Sequence, residues 1–194
     1  MPSIDRDFLV LLKDDFTKYG SFIETGTYLG DTIFCMEPLF NRLYTVEVKL
    51  ELYNVTKSKY RGNKIEFLLG DSSKVFMDIL PTIDTDSIFF LDGHYSSGNT
   101  GKGEKDCPLI EELTAINTLF KKAGIIIIDD CRLFGQGPLT NLAEDWTTIS
   151  VSSIMKVMAY RVTQLYYLDS GIAKNDRMIL HISEMAHPPT VTVR

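Results

Sequence analysis

Acidic side chains end two apolar stretches of the sequence, and a histidine follows the first of them. The stretch IFFLDGH places Asp92 after four apolar residues and His94 two positions further on, and IIIIDD places Asp129 and Asp130 after four isoleucines. Carboxylates that lie close together repel one another unless a cation separates them. Since carboxylate oxygens are the ligands that Mg²⁺ prefers, we expect a Mg²⁺ site at Asp92, Asp129 and Asp130. The alternative is that these acids only cap helices or bond backbone amides.

His94 is the predicted general base, and Asp92 beside it is the second predicted catalytic residue. An imidazole with a pKa of about 6.5 can take the proton of a hydroxyl group at neutral pH. A bound Mg²⁺ would orient that hydroxyl group and lower its pKa, which favours nucleophilic attack. Lys102 and Lys105 in the following loop are competing bases. The other interpretations of His94 are a donor that orients the substrate and a purely structural residue.

The loop 96–106 is rich in glycine and charge, and it follows the first acidic strand end. It is either a lid that closes over the substrate or an ordinary solvated loop, because glycines permit such motion without requiring it. We expect the acceptor to be held by the loops 93–106 and 131–140, or by a second subunit. Tyr95 and Phe134 are candidate walls of that acceptor site.

An alternation of strand and helix patterns must position these residues. The expected strands are 21–24, 42–48, 64–70, 86–92 and 125–130, and the expected helices are 5–19, 31–40, 49–60, 71–80, 107–122 and 150–158. Two further strands, 161–169 and 176–182, are joined by a short link that is typical of an antiparallel hairpin. The alternation predicts an α/β fold with a doubly wound, mostly parallel, seven-stranded sheet of the Rossmann type and a closing antiparallel hairpin.

In such a sheet, ligands bind beyond the carboxyl ends of the strands, near the point where the strand order reverses. The turn ETGTYLGDT after the first strand is rich in glycine, and Glu47 follows Gly26 at the spacing (about 20 residues) of a carboxylate that bonds ribose hydroxyls. Asp71, after the third strand, is placed to accept from an adenine amino group, and Glu24 to face an ammonium group. Tyr28 occupies the position where a dinucleotide site needs its second glycine, which argues against NAD.

These acids favour a ligand that carries a positive charge and no phosphate. S-adenosylmethionine, an amino acid joined to adenosine through a cationic sulfur, fits an acidic rim better than an anionic dinucleotide does. The predicted cofactor-binding residues are Glu24, Thr25, Gly26, Gly30, Glu47, Asp71, Ser72 and Asp92.

Four segments in this order resemble the class I S-adenosylmethionine-dependent methyltransferases: FIETGTYLGDT, LYTVEV, EFLLGDSS and FFLDGHYS. The likeness extends over nearly the whole chain. It implies that the methionine part of the cofactor is held by Glu24, Gly26 and Gly30, its ribose by Glu47 and its adenine amino group by Asp71. LDGH, the glycine-rich loop and IIIIDD together resemble the metal-dependent sugar O-methyltransferases of the macrocin O-methyltransferase type. The layout is also similar to that of catechol O-methyltransferases.

The composition is that of a globular protein, and we expect residues 1–194 to form a single methyltransferase domain. Hydrophobic residues make up 44% of the 194 residues and charged residues 24%, both ordinary values. No apolar run reaches the ~18 residues of a membrane span. The three cysteines form no CxxC pair, which favours reduced thiols and a cytoplasmic location. The net charge of −6 argues against nucleic acid as a partner.

The expected function is Mg²⁺-dependent methylation of a hydroxyl group on a small or sugar-like acceptor, and a homo-oligomer is left open. Three alternatives remain at this point. The protein could be a metal-independent methyltransferase that acts on an amine or carboxylate. It could be a module that binds S-adenosylmethionine without catalysis, or an NAD-dependent redox enzyme, against which Tyr28 counts.

Overall fold

Seven strands form one sheet in the computed structural model of the protein, which describes residues 3–96, 98, 100–140 and 144–186. The strands are β1 (Ser21–Thr25), β2 (Arg42–Glu47), β3 (Ile65–Leu69), β4 (Ser87–Leu91), β5 (Gly124–Ile128), β6 (Val162–Leu168) and β7 (Arg177–Ile182). Their order across the sheet is β3-β2-β1-β4-β5-β7-β6. The first five are parallel, and β7 runs antiparallel to both β5 and β6. The predicted mostly parallel sheet with a closing hairpin is confirmed.

Six α-helices lie within the described ranges, one before β1 and five between successive strands. They are α1 (Arg6–Val10), α2 (Asp31–Met36), α3 (Leu50–Lys59), α4 (Ser72–Ile79), α5 (Leu109–Leu119) and α6 (Val151–Met158). None of these helices is both long enough and apolar enough to cross a membrane.

The first helix is shorter than the predicted range 5–19. It ends at Val10, and after an irregular segment a single 3-10 turn forms at Phe16–Lys18. The side chain of Asp15 accepts a hydrogen bond from the backbone N–H of Thr17 at 3.0 Å, and such a local side-chain bond competes with continued helix. The apolar spacing that predicts one long helix therefore belongs to two short elements, each of which buries apolar side chains.

Strand β5 lies inside the core and is buried on both faces, as its run of isoleucines predicts. Ile126 and Ile128 belong to the apolar cluster that contains buried residues of α4, α5 and α6. Ile125 and Ile127 belong to the opposite cluster, with buried residues of α1 and α2. With both faces covered, the carboxyl ends of the strands are where the sheet can offer polar side chains to a ligand.

Candidate active site

A cavity of about 420 Å³ lies beyond the carboxyl ends of β1, β2, β3 and β4. We call it the strand-end cavity. Its position is the point at which the strand order reverses, because β1 is flanked by β2 on one side and by β4 on the other. Its volume falls in the range of small-molecule sites, roughly 300–1,000 Å³. Its lining includes six of the predicted site residues: Gly26, Glu47, Asp71, Ser72, Asp92 and His94.

The turn after β1 requires glycine at two positions. Gly26 has a φ of +85°, and a Cβ atom there would lie 2.3 Å from the backbone oxygen of Asp92. Gly30 has a φ of +84°, and a Cβ atom there would lie 2.5 Å from Cγ2 of Thr56. Since glycine tolerates both the conformation and the close approach, Gly26 allows the ends of β1 and β4 to meet, and Gly30 allows the turn to pack against α3. The turn then leads directly into α2.

Glu47, the last residue of β2, has its carboxylate fixed at the wall of the cavity. Its two oxygens accept hydrogen bonds from the backbone N–H groups of Tyr28 and Lys49, each at 2.9 Å. Because each carboxylate oxygen has two lone pairs, both oxygens can accept a further bond from a ligand hydroxyl. The predicted role of Glu47 in holding a ribose is therefore compatible with this geometry.

Asp71 combines the two roles that its position after β3 suggests, because it caps α4 and also lines the cavity. Its Oδ1 accepts from the backbone N–H and the hydroxyl of Ser73, at 3.0 and 2.6 Å. Its Oδ2 accepts from the backbone N–H of Glu104 at 3.0 Å. Burial alone would raise the pKa of Asp71, but these hydrogen bonds lower it below its ordinary value. The carboxylate is thus held in its charged form by α4 and by the following loop.

The segment of residues 100–106, which we call the strap, folds over the strand-end cavity. A Cβ atom at Gly101 would lie 3.1 Å from Oε1 of Glu47, and one at Gly103 would lie 2.4 Å from Oδ2 of Asp71. The strap therefore lies against the carboxylates predicted to bind the cofactor, whereas the two sequence-based alternatives for this loop are a lid over the substrate and an ordinary solvated loop. Positions 97 and 99 of the predicted loop lie outside the described residues.

The two lysines that compete with His94 as bases are both ion-paired. The ammonium group of Lys102 lies 2.6 Å from Asp106, and its Nζ is 5.2 Å from the centre of the Tyr95 ring. The hydrogen bond to Asp106 raises the pKa of Lys102, which makes it a poorer base at neutral pH. Lys105 lines the cavity but is paired with Glu111. This geometry favours His94 over either lysine.

Glu24 and Thr25 belong to β1 and lie beneath the cavity rather than on its wall. Glu24 is buried, and its Oε1 accepts a hydrogen bond from the hydroxyl of Thr45 at 2.6 Å. Burial, together with the negative charge of Glu47, raises the pKa of Glu24 to about 8. A largely neutral carboxyl group beneath the wall supports the glycine turn from below. The predicted contact between Glu24 and a ligand ammonium group is not favoured, because burial separates this carboxyl from the cavity.

Asp92, His94 and Asp130 form a compact cluster at the edge of the cavity. Nε2 of His94 lies 3.1 Å from Oδ2 of Asp130 and 2.7 Å from the hydroxyl of Ser96, and Nδ1 lies 3.5 Å from Oδ1 of Asp92. One potential ligand atom of each cluster residue lies within 4.8 Å of the other two. Burial lowers the pKa of His94, which favours the neutral imidazole. It can accept a proton or, together with the carboxylates, bind a cation.

The predicted metal set of Asp92, Asp129 and Asp130 is not brought together as a group of three. Oδ1 of Asp129 accepts a hydrogen bond from Nε of Arg177 at 3.1 Å, and both side chains are buried. This ion pair engages one carboxylate oxygen of Asp129, Oδ1, which also accepts from the backbone N–H of Asp130. In the cluster that forms at the cavity edge, His94 takes the place predicted for Asp129.

A second acidic group, Asp129, Asp130 and Asp176, adjoins the first. Here the guanidinium of Arg132 bonds both Asp130 and Asp176, at 2.5 Å to the latter, while Arg177 bonds Asp129. Two protein cations thus compensate this group without a metal.

Burial raises the pKa values of Asp92, Asp129 and Asp130, and mutual repulsion adds to the effect. For Asp129 and Asp130 the rise is opposed by the guanidinium groups of Arg177 and Arg132. Among the described residues, no guanidinium group is hydrogen-bonded to Asp92. A cation beside Asp92 would therefore lower its pKa and relieve the repulsion.

Two aromatic rings that are distant in sequence support His94. The ring of Trp146 packs edge to face on the imidazole, with the ring centres 4.9 Å apart, and Phe134 stacks on Trp146 at 6.3 Å. The indole N–H donates to the buried carboxylate of Glu144 at 3.1 Å. Phe134, predicted to form a wall of the acceptor site, thus contacts Trp146, which in turn contacts His94. No local pattern marks Trp146 or Glu144, because their contact with His94 spans about 50 residues of chain.

Glu112, on α5, is a further buried acid that the sequence patterns do not single out. It accepts a hydrogen bond at 2.5 Å from the hydroxyl of Ser72, which lines the cavity. Burial raises the pKa of Glu112 to about 7, although the hydrogen bond from Ser72 opposes this. The predicted cofactor residue Ser72 is therefore held from below by α5. Glu112 occupies a core position in the apolar periodicity of α5, so the sequence pattern does not mark it as a site residue.

Comparison with solved structures finds the same fold in proteins of low sequence identity. TomG, an O-methyltransferase of Streptomyces achromogenes involved in tomaymycin synthesis and solved with S-adenosylmethionine, is 16% identical at a TM-score of 0.60, over 88% of this chain and 75% of its own. The N-methyltransferase NodS of Bradyrhizobium japonicum, solved with S-adenosylhomocysteine, is 11% identical at 0.54, over 87% and 79%. Spermidine synthase of Thermotoga maritima is 11% identical at 0.53, over 89% and 55%.

No protein-family model matches the sequence, and no curated protein is significantly similar to it. At the identities above, the structural likeness establishes the fold, and a fold alone does not determine the reaction. The chain has the fold that S-adenosylmethionine-dependent methyltransferases of class I share.

Proposed function

We propose that the protein is an S-adenosylmethionine-dependent methyltransferase. The observation that carries this proposal is one continuous cavity whose wall includes Glu47 and Asp71 at one part and Asp92 and His94 at another. A ligand whose ribose bonds Glu47 would extend toward the cluster that contains His94. The fold shared with methyltransferases solved with S-adenosylmethionine or its product supports the proposal.

The finer proposal is Mg²⁺-dependent O-methylation of a small or sugar-like acceptor, as in the macrocin O-methyltransferase type. Asp92 and Asp130 offer hard carboxylate oxygens at the cavity edge, and Mg²⁺ in proteins is often held by one or two carboxylates while water and substrate oxygens complete its coordination. Imidazole suits softer transition metals better, so His94 stays available as the base. The donor set therefore fits Mg²⁺ without Asp129, which is bonded to Arg177.

In the proposed reaction, each group of the chain has a defined task. Glu47 and Asp71 bind the nucleoside part of the cofactor, and the strap excludes water from it. Asp92 and Asp130 would hold a Mg²⁺ ion, which would supply Lewis-acid activation of an acceptor hydroxyl. The imidazole of His94 takes the proton of that hydroxyl, and the ring of Trp146 packs against it. The acceptor oxygen then attacks the methyl carbon of the sulfonium in line, so that the O–C bond forms as the C–S bond breaks and S-adenosylhomocysteine leaves; positioning supplies much of the rate.

Thermal unfolding with S-adenosylhomocysteine, with and without Mg²⁺, tests both levels of the proposal. A ligand present at about 100 times its Kd adds roughly 2.7 kcal/mol of stability, a shift of a few degrees for a chain of this size. We expect the wild type to show this shift, with a further shift on adding Mg²⁺ that Asp92→Asn and Asp130→Asn remove. Asp84→Asn, at an exposed position outside the cavity, is the matched control and keeps both shifts. An absent shift with S-adenosylhomocysteine would contradict the methyltransferase proposal itself.

A metal-independent methyltransferase that acts on an amine is the second candidate. The observation that favours it is the pairing of Asp130 with Arg132 and of Asp129 with Arg177, which compensates both acids without a metal. Under this alternative, a screen of hydroxylated sugars and amines yields turnover that survives EDTA. Cofactor binding without turnover on any acceptor would instead indicate a binding module.

A further inference from the structure

Asp106, the last residue of the strap, bonds three separate parts of the chain. Its backbone oxygen accepts from the N–H of Tyr95 at 2.7 Å. Of its two carboxylate oxygens, Oδ1 lies 2.6 Å from the ammonium group of Lys102, and Oδ2 accepts from the backbone N–H of Asp145 at 3.1 Å. The carboxylate is largely enclosed, since 14% of the side chain is exposed. Asp106 therefore ties the end of the strap to the segment that contains Asp145.

The segment that Asp106 holds carries the ring that packs on the proposed base. Trp146 directly follows Asp145, and its side chain lies edge to face on the imidazole of His94, with the ring centres 4.9 Å apart. The backbone of Trp146 also bonds a second loop, because its N–H donates to the oxygen of Gln136 at 2.9 Å. The placement of this ring therefore depends on two loops, and one of the two is held by the strap.

Two residues before Asp106, the strap is bonded to the part of the site that is predicted to bind the cofactor. The N–H of Glu104 donates to Oδ2 of Asp71 at 3.0 Å, and Gly103 lies against the same oxygen. Two residues of extended chain span at most about 7 Å. The strap therefore cannot lift far from Asp71 while Asp106 keeps its own bonds, so the two attachments open or close together.

We propose that Asp106 is a positioning residue that couples the docking of the strap to the placement of Trp146 beside His94. The hydrogen bond from the N–H of Asp145 is the link between the two. Because coupling between two parts of a molecule is reciprocal, a ligand that favours the docked strap also favours the ordered ring. The imidazole is then fully supported only when the cofactor is covered and sequestered from water. The inference rests on the proposed function for the identity of that ligand, whereas the link is a property of the chain alone.

The fluorescence of Trp146 tests this coupling without an acceptor, because Trp146 is the only tryptophan of the chain. Gly103→Ala moves the strap away from Asp71, and we expect it to raise the acrylamide quenching constant of Trp146 at least about twofold. Asp106→Ala should raise this constant to a similar value. Adding Gly103→Ala to Asp106→Ala should raise it no further, since two changes that act through one link are not additive.

Control variants separate the link from a general loss of structure. Asp106→Asn keeps a side-chain oxygen that can accept from the N–H of Asp145, so we expect its quenching to stay close to the wild-type value. Gly171→Ala and Asp84→Asn, at exposed positions outside the strand-end cavity, should leave the quenching unchanged. Urea unfolding of each variant identifies any that is not folded under the conditions of the measurement.

Addition of S-adenosylhomocysteine completes the test. In the wild type we expect binding, measured by calorimetry, to lower the quenching of Trp146. In Asp106→Ala the compound should still bind while the quenching stays high. If the wild type does not bind it, the proposed function fails, and the ligand-free comparison still decides the coupling.

Four results would overturn the proposal. The first is unchanged quenching in Gly103→Ala, which does not require Asp106→Ala to fold. The second is full additivity of Gly103→Ala and Asp106→Ala, because the strap and the ring would then move independently. The third is a ligand effect on quenching in Asp106→Ala equal to that in the wild type, since the ligand would then act on Trp146 directly. The fourth is a loss of ligand binding in Asp106→Ala, which would place Asp106 in the cofactor site itself.

Discussion

Nε of Arg177 lies 3.1 Å from Oδ1 of Asp129, and this buried ion pair joins the start of β7 to the end of β5. The same guanidinium donates to the backbone oxygen of Ser3 at 2.6 Å through Nη2 and packs over the ring of Phe8. Ser3 itself lines the strand-end cavity. Arg177 therefore fixes an acid next to the candidate metal cluster and, at the same time, the chain segment that forms one wall of the cavity.

Removing the cation of this pair should destabilise the protein. Arg177→Met leaves Asp129 buried without its partner, and breaking a buried pair from one side typically costs about 3–5 kcal/mol. We expect urea unfolding to show a loss of this size, and the double variant Asp129→Asn/Arg177→Met to recover part of it. Arg42→Met, which removes an exposed arginine paired with Glu66, should cost no more than about 1 kcal/mol. Equal losses for the two arginines would contradict the assignment of Arg177.

The pairing of Asp129 with Arg177 predicts how metal binding responds to substitution. Asp129→Asn should keep the extra thermal shift that Mg²⁺ adds in the presence of S-adenosylhomocysteine, because Asp92 and Asp130 remain. Asp130→Asn should lose that shift. If Asp129→Asn also loses the Mg²⁺-dependent shift, Asp129 must leave Arg177 to bind the ion. The metal ligands would then be the three acids predicted from the sequence.

His94 has a testable role that does not depend on how tightly the cofactor binds. His94→Gln removes the base but keeps a polar side chain, and loss of a general base typically lowers kcat about 10²–10⁴-fold. We expect this loss with any acceptor that the screen identifies, while the Kd for S-adenosylhomocysteine changes little. Lys102→Gln, at the exposed end of an ion pair with Asp106, should leave kcat nearly unchanged. A reversal of these two results would transfer the base role to Lys102.

A single methyl group added to the strap should weaken ligand binding. In Gly103→Ala the new Cβ atom would lie 2.4 Å from Oδ2 of Asp71, so the strap cannot dock as it does in the wild type. We expect the Kd for S-adenosylhomocysteine to rise about tenfold, which corresponds to about 1.4 kcal/mol. Gly171→Ala, where a Cβ atom meets nothing within 4 Å, is the matched control. An unchanged Kd in Gly103→Ala would show that the docked strap contributes nothing to binding.

Glu24 predicts a pH dependence of stability. Its pKa in the folded protein, about 8, lies above its ordinary value of 4.5, so between these pH values the folded state holds a proton that the unfolded state has lost. The free energy of unfolding therefore falls as the pH rises through this window, by at most about 1.4 kcal/mol per pH unit for this group. Denaturant titrations from pH 5 to 8 should show a smaller slope in Glu24→Gln than in the wild type. The same substitution at the exposed Glu51 should leave the slope unchanged, and equal slopes in Glu24→Gln and wild type would contradict the assignment.

Much of the fold follows from patterns along the chain. The five apolar stretches, their helical connections and the closing hairpin are all present, because each signal is local: strand alternation, helix spacing and glycine turns. Parallel strands bring their carboxyl ends to one edge, which is why Glu47, Asp71 and Asp92 line a common cavity. The first helix is the exception, since the side-chain bond of Asp15 interrupts a regular apolar spacing.

The arrangement inside the site could not be predicted in the same way. Asp129 and Asp130 are adjacent in sequence, but one bonds Arg177 and the other contacts His94, and no local signal pairs either acid with its partner. Glu24, predicted to contact the ligand, is buried beneath the cavity. Its burial depends on tertiary packing, which the pattern of acids at strand ends does not predict. The direction in which the strap folds depends on its hydrogen bond to Asp71, about 30 residues earlier in the chain, and on its close approach to Glu47, about 50 residues earlier.

The docked strap also has a consequence for kinetics. With the N–H of Glu104 bonded to Asp71 and the side chain of Glu104 paired with Lys74, we expect a ligand in the strand-end cavity to leave more slowly while these bonds are closed than after they open. Opening of such a loop commonly takes microseconds to milliseconds and often limits turnover. The residence time of the demethylated product, rather than methyl transfer, would then determine the steady-state rate, and Lys74 and Glu104, which touch neither the acceptor nor the sulfonium, would help to determine kcat.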